Sequence, residues 1–389
     1  MKRKIAVVTS SRADYSHLYW PLKDLVAHPN VDLKLIVMAA HLSPEYGGTV
    51  GEIERDGFAI ASRIECLLSS DSDVGMAKTL GLAVLGLTDV LAQIRPDLML
   101  LIADRYEMLA PASVALTLRI PIAHIEGGEV SEGAIDDAVR NALTKMAHIH
   151  FTSTQSARAR VIAMGEEAWR VHRAGAPSLD HVRRSTLLSR QELEQKLALQ
   201  LGARVTVVAY HPVTLLQDTT AETTALFAAL KQIPGQILFC YPNADAGSHN
   251  LMQMAHAFCE THNDSHVFVN LGSITYWSLL REASLLLGNS SSGIMEAASF
   301  GLPVVNIGLR QFGRERARNV LEAHASADSI LAQVEKAWNP GFRAAIGGMQ
   351  NPYDDGHAAE RIVSILTTVP LEGLLRKRAQ PVETPAAQP

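Results

Sequence analysis

The chain has 389 residues, more than one hydrophobic core of ordinary size would need, so we expect two domains. A formal net charge of -5 argues against a nucleic-acid-binding protein with a broad basic face, although a local cluster of arginine and histidine can still bind a small anion. The three cysteines, Cys66, Cys240 and Cys259, are too widely spaced for a disulfide framework or a zinc site.

Short apolar runs alternate with helical patterns from the start of the chain. The run at residues 5–9 is too short for a signal-peptide core or a transmembrane helix, and no other segment is long and apolar enough to span a bilayer. We therefore expect a cytoplasmic protein that contacts no membrane. The alternation predicts a parallel sheet with helices on both faces. The predicted strands lie at residues 5–9, 33–38, 98–103, 122–125 and 149–152.

The alternation restarts after Gly175-Ala176-Pro177, which indicates a second domain of the same kind. The predicted fold is therefore α/β, with two doubly wound Rossmann-like domains that face a cleft. We place the N-terminal domain at residues 1–174, the C-terminal domain at 175–368 and a disordered tail at 369–389. The last predicted helix, near 357–367, either stays with the second domain or returns to the first. The second set of predicted strands lies at residues 205–209, 236–240, 267–269, 285–287 and 304–307.

Three polar clusters follow predicted strands in the first domain. Arg12 and Ser16 begin a predicted helix, where backbone N–H groups and an arginine can bind a phosphate, although a simple helix cap explains them equally well. Asp104-Arg105 is either an ion pair or a site at a strand end. Glu126 lies beside a Gly-Gly turn, with several carboxylates nearby that could raise its proton affinity for general acid–base chemistry. Asp136 begins a helix, and an acidic helix cap is the simpler interpretation there.

The second domain carries the most specific cluster. Residues 287–296 read Leu-Gly-Asn-Ser-Ser-Ser-Gly-Ile-Met-Glu, a strand that runs into a serine-rich turn and a helix. Hydroxyls and free N–H groups there can bind a diphosphate, and Glu296 is close enough to contact a ribose diol. The segment lacks the pattern of a P-loop NTPase. His211 and Asn243 follow two other predicted strands, and Arg310 lies in a later loop rich in glycine and arginine.

Taken together, these ordered segments resemble the hydrolysing UDP-N-acetylglucosamine 2-epimerases of bacterial sialic- and legionaminic-acid pathways. The resemblance covers about residues 4–366, and several motifs in one order make it specific. The segments that carry it are Ser11–Tyr15, His41–Glu45, Asp104-Arg105, His124–Glu129, His211-Pro212, Pro242-Asn243, Gly288–Gly293 with Glu296, Arg310-Gln311 and Asn351–Tyr353.

The resemblance implies a GT-B type fold with the nucleotide bound mainly by the second domain. It implies no metal and no cofactor, a nucleotide-sugar substrate, no nucleic-acid partner and a homodimer or homotetramer. Asp104, Glu126 and Asp136 match the acidic positions implicated in catalysis. The positions implied to bind substrate are Arg12, Ser16, His41, Arg105, His211, Asn243, Ser290, Ser291, Glu296 and Arg310.

The implied reaction converts UDP-N-acetylglucosamine and water to UDP and N-acetylmannosamine, for the biosynthesis of sialic-type sugars. The C2 proton is not acidic, so UDP must leave as that proton is removed, or before, to give a glycal that water then hydrates. The same reaction on UDP-2,4-diacetamido-trideoxyglucose or GDP-N-acetylglucosamine is an alternative. A GT-B glycosyltransferase, a non-hydrolysing epimerase and a catalytically silent UDP-sugar sensor are the other hypotheses.

Overall fold

A computed structural model describes residues 2–70, 72–102, 104–132, 135–211, 220–241, 248–269 and 271–381. The chain divides into two compact units. Unit 1 comprises Met1–Glu129, Ile135–Pro177 and His357–Pro389, and unit 2 comprises Val130–Ala134 and Ser178–Gly356. Each unit contains a parallel sheet with helices on both faces, so the predicted α/β class is confirmed.

The described part of unit 1 contains a seven-stranded parallel sheet with the strand order β3-β2-β1-β4-β5-β6-β7. Its strands are β1 (Arg3–Thr9), β2 (Val31–Met38), β3 (Ile60–Ile64), β4 (Leu98–Ile102), β5 (Ile122–Ile125), β6 (Ile149–Thr152) and β7 (Val171–Arg173). The helices before the boundary are α1 (Arg12–Ala27), α2 (Val50–Arg55), α3 (Asp73–Ile94), α4 (Leu109–Thr117), α5 (Ile135–Met146) and α6 (Gln155–Ala163).

The central strands of unit 1 are apolar on both faces because helices cover both faces of the sheet. Every residue of β4, with the sequence Leu-Met-Leu-Leu-Ile, is buried. On one face, Leu18 and Leu22 of α1 belong to the core, and on the other face Leu87 and Leu91 of α3 do. The short strands β3 and β7 form the edges, where fewer buried residues leave a weaker apolar signal in the sequence, and neither was predicted.

Helix α3 corrects one expectation about membranes. It has 22 residues and a mean hydropathy of 1.5, so it is long and apolar enough to cross a membrane by length and composition, although none was expected. The residues at every fourth position, Gly75, Thr79, Ala83, Leu87 and Leu91, are buried. A stripe at this spacing lies on one face of a helix, and this face packs in unit 1 beside α4.

The described part of unit 2 contains a six-stranded parallel sheet with the order β10-β9-β8-β11-β12-β13. Its strands are β8 (Val205–Ala209), β9 (Gln236–Tyr241), β10 (Ser265–Val269), β11 (Leu285–Gly288), β12 (Val304–Ile307) and β13 (Val320–Ala323). Its helices are α7 (Ser178–Arg184), α8 (Arg190–Leu197), α9 (Thr220–Leu230), α10 (Ser248–Thr261), α11 (Ser273–Glu282), α12 (Ser291–Met295), α13 (Ala327–Trp338) and α14 (Pro340–Ile346).

The last helix, α15 (Ala358–Thr368), belongs to unit 1, where Ile362 and Leu366 join the same apolar core as α1. Disorder was expected from residue 369, yet the chain beyond α15 is held in place. The buried Arg170 donates hydrogen bonds to the carbonyl oxygens of Leu374 and Arg376 at 2.8 and 2.7 Å. Residues 382–389, the remainder of that predicted tail, lie outside the described part of the chain.

Candidate active site

Four neighbouring strands of unit 1 end in polar residues at the same edge of the sheet. The strands run parallel in the order β2-β1-β4-β5, so their carboxyl ends meet. His41 follows β2, the segment with Arg12 and Ser16 follows β1, Asp104 and Arg105 follow β4, and Glu126 follows β5. The sheet therefore brings most of the predicted site residues of unit 1 to one edge.

Glu126 has an unusual backbone as well as a polar contact. It directly follows β5 with a φ of 66°, in the left-handed region that side chains with a Cβ rarely adopt, and its N–H bonds to the carbonyl of Phe151 at 2.8 Å. Such backbone conformations cluster at functional sites. Its side chain is 11% exposed, and Oε1 lies 2.7 Å from Nδ1 of His17, a residue of α1 that the sequence did not single out.

Asp104 and Arg105 are held by different partners. The buried Arg140 of α5 donates a hydrogen bond to the Asp104 carboxylate, and it also bonds the carbonyl of Glu129 at 3.0 Å. Arg105 lies 3.3 Å from the buried Glu107. Because arginine stays protonated, the Arg140 contact favours the charged form of Asp104.

His41 is a fully buried polar residue between two threonines. Its ring nitrogens lie 2.9 Å from the Thr9 hydroxyl and 2.7 Å from the Thr49 hydroxyl. Burial lowers the pKa of His41 to about 4, although the nearby Asp14 carboxylate acts in the opposite direction. His41 is therefore a neutral, fixed ring that holds the end of β1 rather than a cation.

The N-terminus of α1 is capped by residues of the same segment. Ser11 and Asp14 form a capping box, and the Asp14 carboxylate accepts hydrogen bonds from the backbone N–H groups of Ser10 and Ser11 at 3.1 Å each. Arg12 lies 3.5 Å from Glu52, and Ser16 is half-buried on the next turn. Asp136 lies in the first turn of α5, as expected for an acidic helix start.

In unit 2 the serine-rich turn connects β11 to the short helix α12. Gly288 has a φ of 145°, and a Cβ added there would come within 2.1 Å of the Ala209 carbonyl oxygen of the adjacent strand. Glycine is required because only it fits this close approach of two backbones. Ser290 caps α12, and the Ser292 hydroxyl bonds the phenol of Tyr276 at 2.7 Å.

Asn289, which was not among the predicted site residues, connects three segments of unit 2. Its side chain is fully buried, with Oδ1 accepting from the His211 N–H at 2.7 Å and Nδ2 donating to the His211 carbonyl at 2.8 Å. Its own carbonyl accepts from Arg310 at 2.9 Å and from the Gln311 amide at 2.8 Å. One amide residue thus holds the ends of β8, β11 and β12 together.

The Arg310 guanidinium provides a positive charge at the same edge of unit 2. Burial, and secondarily the Arg310 guanidinium, lower the pKa of His211 to about 3, so this ring is neutral and Arg310 carries the charge. Glu296 is buried at the C-terminal end of α12, and Ser291 is half-buried in its first turn. Asn243, predicted to contact the nucleotide, lies outside the described residues.

The described residues of the two edges contain no obvious set of metal ligands. In residues 2–381, leaving out the gaps given above, no three histidine, cysteine, aspartate or glutamate side chains come together as a metal-binding group. What both edges offer is carboxylates, hydroxyls, amide groups and guanidinium groups. These groups suit proton transfer in unit 1 and the binding of an anion in unit 2.

A family model described as UDP-N-acetylglucosamine 2-epimerase matches residues 23–367. The chain belongs to this family. It is 37% identical over 373 residues to the UDP-N,N'-diacetylbacillosamine 2-epimerase (hydrolyzing) of Legionella pneumophila, covering 95% of this chain and 97% of the relative. It is 35% identical over 338 residues to the GDP/UDP-N,N'-diacetylbacillosamine 2-epimerase (hydrolyzing) of Campylobacter jejuni, covering 86% and 88%.

A third relative is the UDP-N-acetylglucosamine 2-epimerase of Neisseria meningitidis, 30% identical over 344 residues that cover 87% of this chain and 88% of the relative. Among solved structures, the Neisseria meningitidis UDP-GlcNAc 2-epimerase bound to UDP-GlcNAc aligns with a TM-score of 0.80 at 18% identity, covering 93% of this chain and 99% of that one. The family membership and the GT-B type fold implied by the sequence are confirmed.

Sequence reasoning missed three residues that hold the predicted ones: His17, Glu107 and Asn289. Asn289 lies inside the serine-rich motif, so its position was a usable signal. Glu107 lies two residues after Arg105 and could have been paired with it. His17 carries no local signal, because its partner Glu126 is far away in sequence and only the fold brings the two together.

Proposed function

We propose that this epimerase hydrolyses UDP-N,N'-diacetylbacillosamine, the UDP-linked 2,4-diacetamido-trideoxyglucose, to UDP and the free 2-epimeric sugar. The observation that carries the reaction type is the pair of carboxylates, Asp104 and Glu126, at the ends of adjacent strands β4 and β5. Support for the sugar comes from the two relatives named for N,N'-diacetylbacillosamine, one UDP-linked and one GDP- or UDP-linked, at 37% and 35% identity. A relative named for UDP-N-acetylglucosamine is 30% identical.

Unit 2 is proposed to bind the departing nucleotide. Arg310 and the hydroxyls of Ser290 and Ser291 would stabilise the negative charge that develops on the diphosphate as the C1–O bond breaks. The electron pair of that bond leaves with UDP. Glu296 would accept a hydrogen bond from the ribose diol, and the neutral His211 would donate one to a phosphate oxygen.

The acids of unit 1 are proposed to act on the sugar. One carboxylate takes the C2 proton while UDP leaves, which forms a C1–C2 double bond. Water then adds its oxygen to C1, and a second acid delivers a proton to C2 from the opposite face. Glu126, Asp104 and Asp136 form the proposed acid–base set, with Arg12, Ser16 and Arg105 around the substrate. His41, predicted to contact the substrate, is fully buried between Thr9 and Thr49 and is proposed to hold this edge in place instead.

A second candidate substrate is UDP-N-acetylglucosamine, which would give N-acetylmannosamine. It is favoured by the description of the family and by the Neisseria meningitidis relative. The two substrates differ at C4, where one carries an acetamide and the other a hydroxyl, and at C6. The reaction at C1 and C2 is the same for both.

Incubation with a panel of nucleotide sugars tests the proposal. The purified protein is given UDP-N,N'-diacetylbacillosamine, UDP-N-acetylglucosamine and the GDP-linked forms of both sugars, without an acceptor, in deuterated water. We expect free 2-epimeric sugar with deuterium at C2 and an equal amount of UDP, fastest from the diacetamido substrate. Faster turnover of UDP-N-acetylglucosamine would favour the second candidate, and the return of an intact UDP-sugar would contradict hydrolysis.

A further inference from the structure

Glu126 and His17 form a pair that links a buried carboxylate to solvent. Oε1 of Glu126 and Nδ1 of His17 are 2.7 Å apart, a distance at which the two groups share a hydrogen bond. The Glu126 side chain is 11% exposed and the His17 side chain 24% exposed. Imidazole can accept a proton on one nitrogen and release one from the other, so a proton on Glu126 has a route outwards.

The proposed reaction needs such a route. Because the proton leaves C2 from one face and returns from the other, the group that removes it ends the cycle protonated. The acid that delivers a proton can recover one from the water molecule that adds to C1. The first group has no such partner in the reaction, so its proton must pass to solvent before the next turnover.

The two carboxylates at the strand ends differ in this respect. Asp104 is hydrogen-bonded by Arg140, whose side chain is 3% exposed and whose guanidinium does not release its proton. Glu126 instead contacts an imidazole, which exchanges protons readily near neutral pH. A proton placed on Glu126 can therefore leave through its partner, whereas one placed on Asp104 cannot leave through Arg140.

We propose that Glu126 removes the C2 proton and that His17 relays this proton to solvent, which resets the enzyme after each turnover. The proposal rests on the hydrolysing 2-epimerase reaction proposed above. In the relay step the Glu126 O–H bond breaks as an Nδ1–H bond forms on His17, and the imidazolium then loses its Nε2 proton to water or buffer. Nδ1–H now donates to the ionised Glu126 carboxylate, and proton exchange with solvent returns the ring to the Nε2–H tautomer before the next transfer. His17 touches Glu126 and positions its carboxylate, so its role is that of a relay and positioning residue.

Three variants separate proton relay from simple positioning. H17Q keeps a hydrogen-bond donor beside Glu126 but cannot carry a proton, and H17A leaves space for a small base. H28Q makes the same replacement at the other end of α1, where His28 lies far along the helix from the site. Circular dichroism and thermal unfolding check that each variant is folded.

The measurements are pre-steady-state release of UDP and steady-state turnover, with and without added imidazole at fixed pH. For H17Q we expect a burst of one UDP per active site at close to the wild-type rate, followed by turnover that is lower by about 10²-fold. For H17A we expect a similar loss of turnover, and saturating imidazole should raise the turnover of this variant by about tenfold or more. H28Q should match the wild type in both phases.

Each outcome decides between defined alternatives. A first turnover in H17Q that is as slow as later ones would show that His17 only positions Glu126 and would overturn the relay. The absence of any imidazole effect on H17A, or an unchanged turnover in both His17 variants, would overturn it as well. A wild-type protein that releases no UDP from any sugar of the panel would instead overturn the proposed function, and the relay with it.

Discussion

Each unit has a polar edge at the carboxyl ends of its strands, and the interactions that stabilise this edge differ between unit 1 and unit 2. In unit 1, ionisable side chains pair with one another, Glu126 with His17 and Asp104 with Arg140. In unit 2 a neutral residue, Asn289, connects the strand ends through its amide and its backbone. Of these groups, the carboxylate and imidazole of the Glu126–His17 pair can exchange a proton, whereas a guanidinium or an amide cannot. This difference is the basis on which we propose proton transfer in unit 1 and binding of the leaving group in unit 2.

The largest effect is expected from E126Q. Glutamine keeps the shape of the side chain but cannot take the C2 proton, so kcat should fall by about 10²–10⁴-fold. UDP affinity should stay close to that of the wild type if unit 2 binds the nucleotide. Turnover measured by UDP release and UDP affinity measured by isothermal titration calorimetry check both parts.

The matched control is E54Q, which neutralises a surface glutamate of unit 1 that pairs only with Arg63 in the described structure. Surface ion pairs contribute little, so this change should leave turnover unchanged. Full activity in E126Q would remove Glu126 from the acid–base set. A large loss of UDP affinity in E126Q would contradict the division of labour between the units.

G288A should destabilise unit 2 strongly. The added Cβ would lie 2.1 Å from the Ala209 carbonyl oxygen, at a φ of 145° that disfavours any side chain, so the free energy of unfolding should fall by about 3 kcal/mol. Urea denaturation measures the change. The control is G202A, since a Cβ there has its first contact at an ordinary 3.7 Å. Equal stability of the two variants would show that the turn can move away from β8 at little cost.

N289D tests the role of Asn289, the neutral residue that connects three strand ends of unit 2. The change keeps the shape but removes the donor to the His211 carbonyl and places a negative charge beside Arg310. We expect the Kd for UDP to rise by about 10- to 100-fold, as for the loss of one or two hydrogen bonds.

A second buried asparagine gives the control for N289D. Asn319 donates to the Leu302 carbonyl at 2.7 Å, much as Asn289 donates to His211. N319D should therefore lower the stability of unit 2 but leave UDP affinity unchanged. Weaker UDP binding in both variants would mean that stability alone, and not the position of Asn289, sets the affinity.

The same contrast explains what the sequence could reveal. Alternating strands and helices, and the serine-rich turn after β11, are local patterns, so the fold and the polar strand ends of both units could be predicted. His17 pairs with a residue far away in sequence, and that contact exists only once the fold brings α1 and the residue after β5 together. The edge strands β3, β7 and β13 were missed because they bury too little to give an apolar run.

The ordered structure of the segment after residue 369 was not predicted, for a related physical reason. Its composition is typical of a disordered tail, yet Lys377 donates to the carbonyl of Ala147 at 2.9 Å and to the Glu166 carboxylate at 2.8 Å. Burial alone would raise the pKa of Glu166, but hydrogen bonds from His150, Lys145 and Lys377 lower it to about 2. Long-range polar contacts of this kind leave no periodic signal in the sequence.

The last prediction concerns the pH dependence of stability in the two units. Burial lowers the pKa of His41 and of His148 in unit 1 to about 4, and that of His211 in unit 2 to about 3. Since the unfolded forms bind protons near the ordinary pKa of 6.5, protons favour unfolding as the pH falls from 7 towards 4. Each histidine should then remove about 2 kcal/mol of stability between pH 7 and pH 5. Protonation of Glu166 lowers stability only when the pH falls below its ordinary pKa of 4.5, so it does not affect the change between pH 7 and pH 5.

Calorimetry at pH 7, 6 and 5, with hydrogen exchange to assign each transition, should show the unfolding temperature of unit 1 falling further than that of unit 2, because His41 and His148 act in unit 1 and His211 acts in unit 2. H148N sharpens the test, because an asparagine oxygen can accept the Ile122 N–H that His148 now accepts at 3.1 Å, yet it does not titrate. This variant should be less stable at pH 7 but should lose about 2 kcal/mol less between pH 7 and pH 5. A pH dependence equal to that of the wild type would show that other groups of unit 1 carry it.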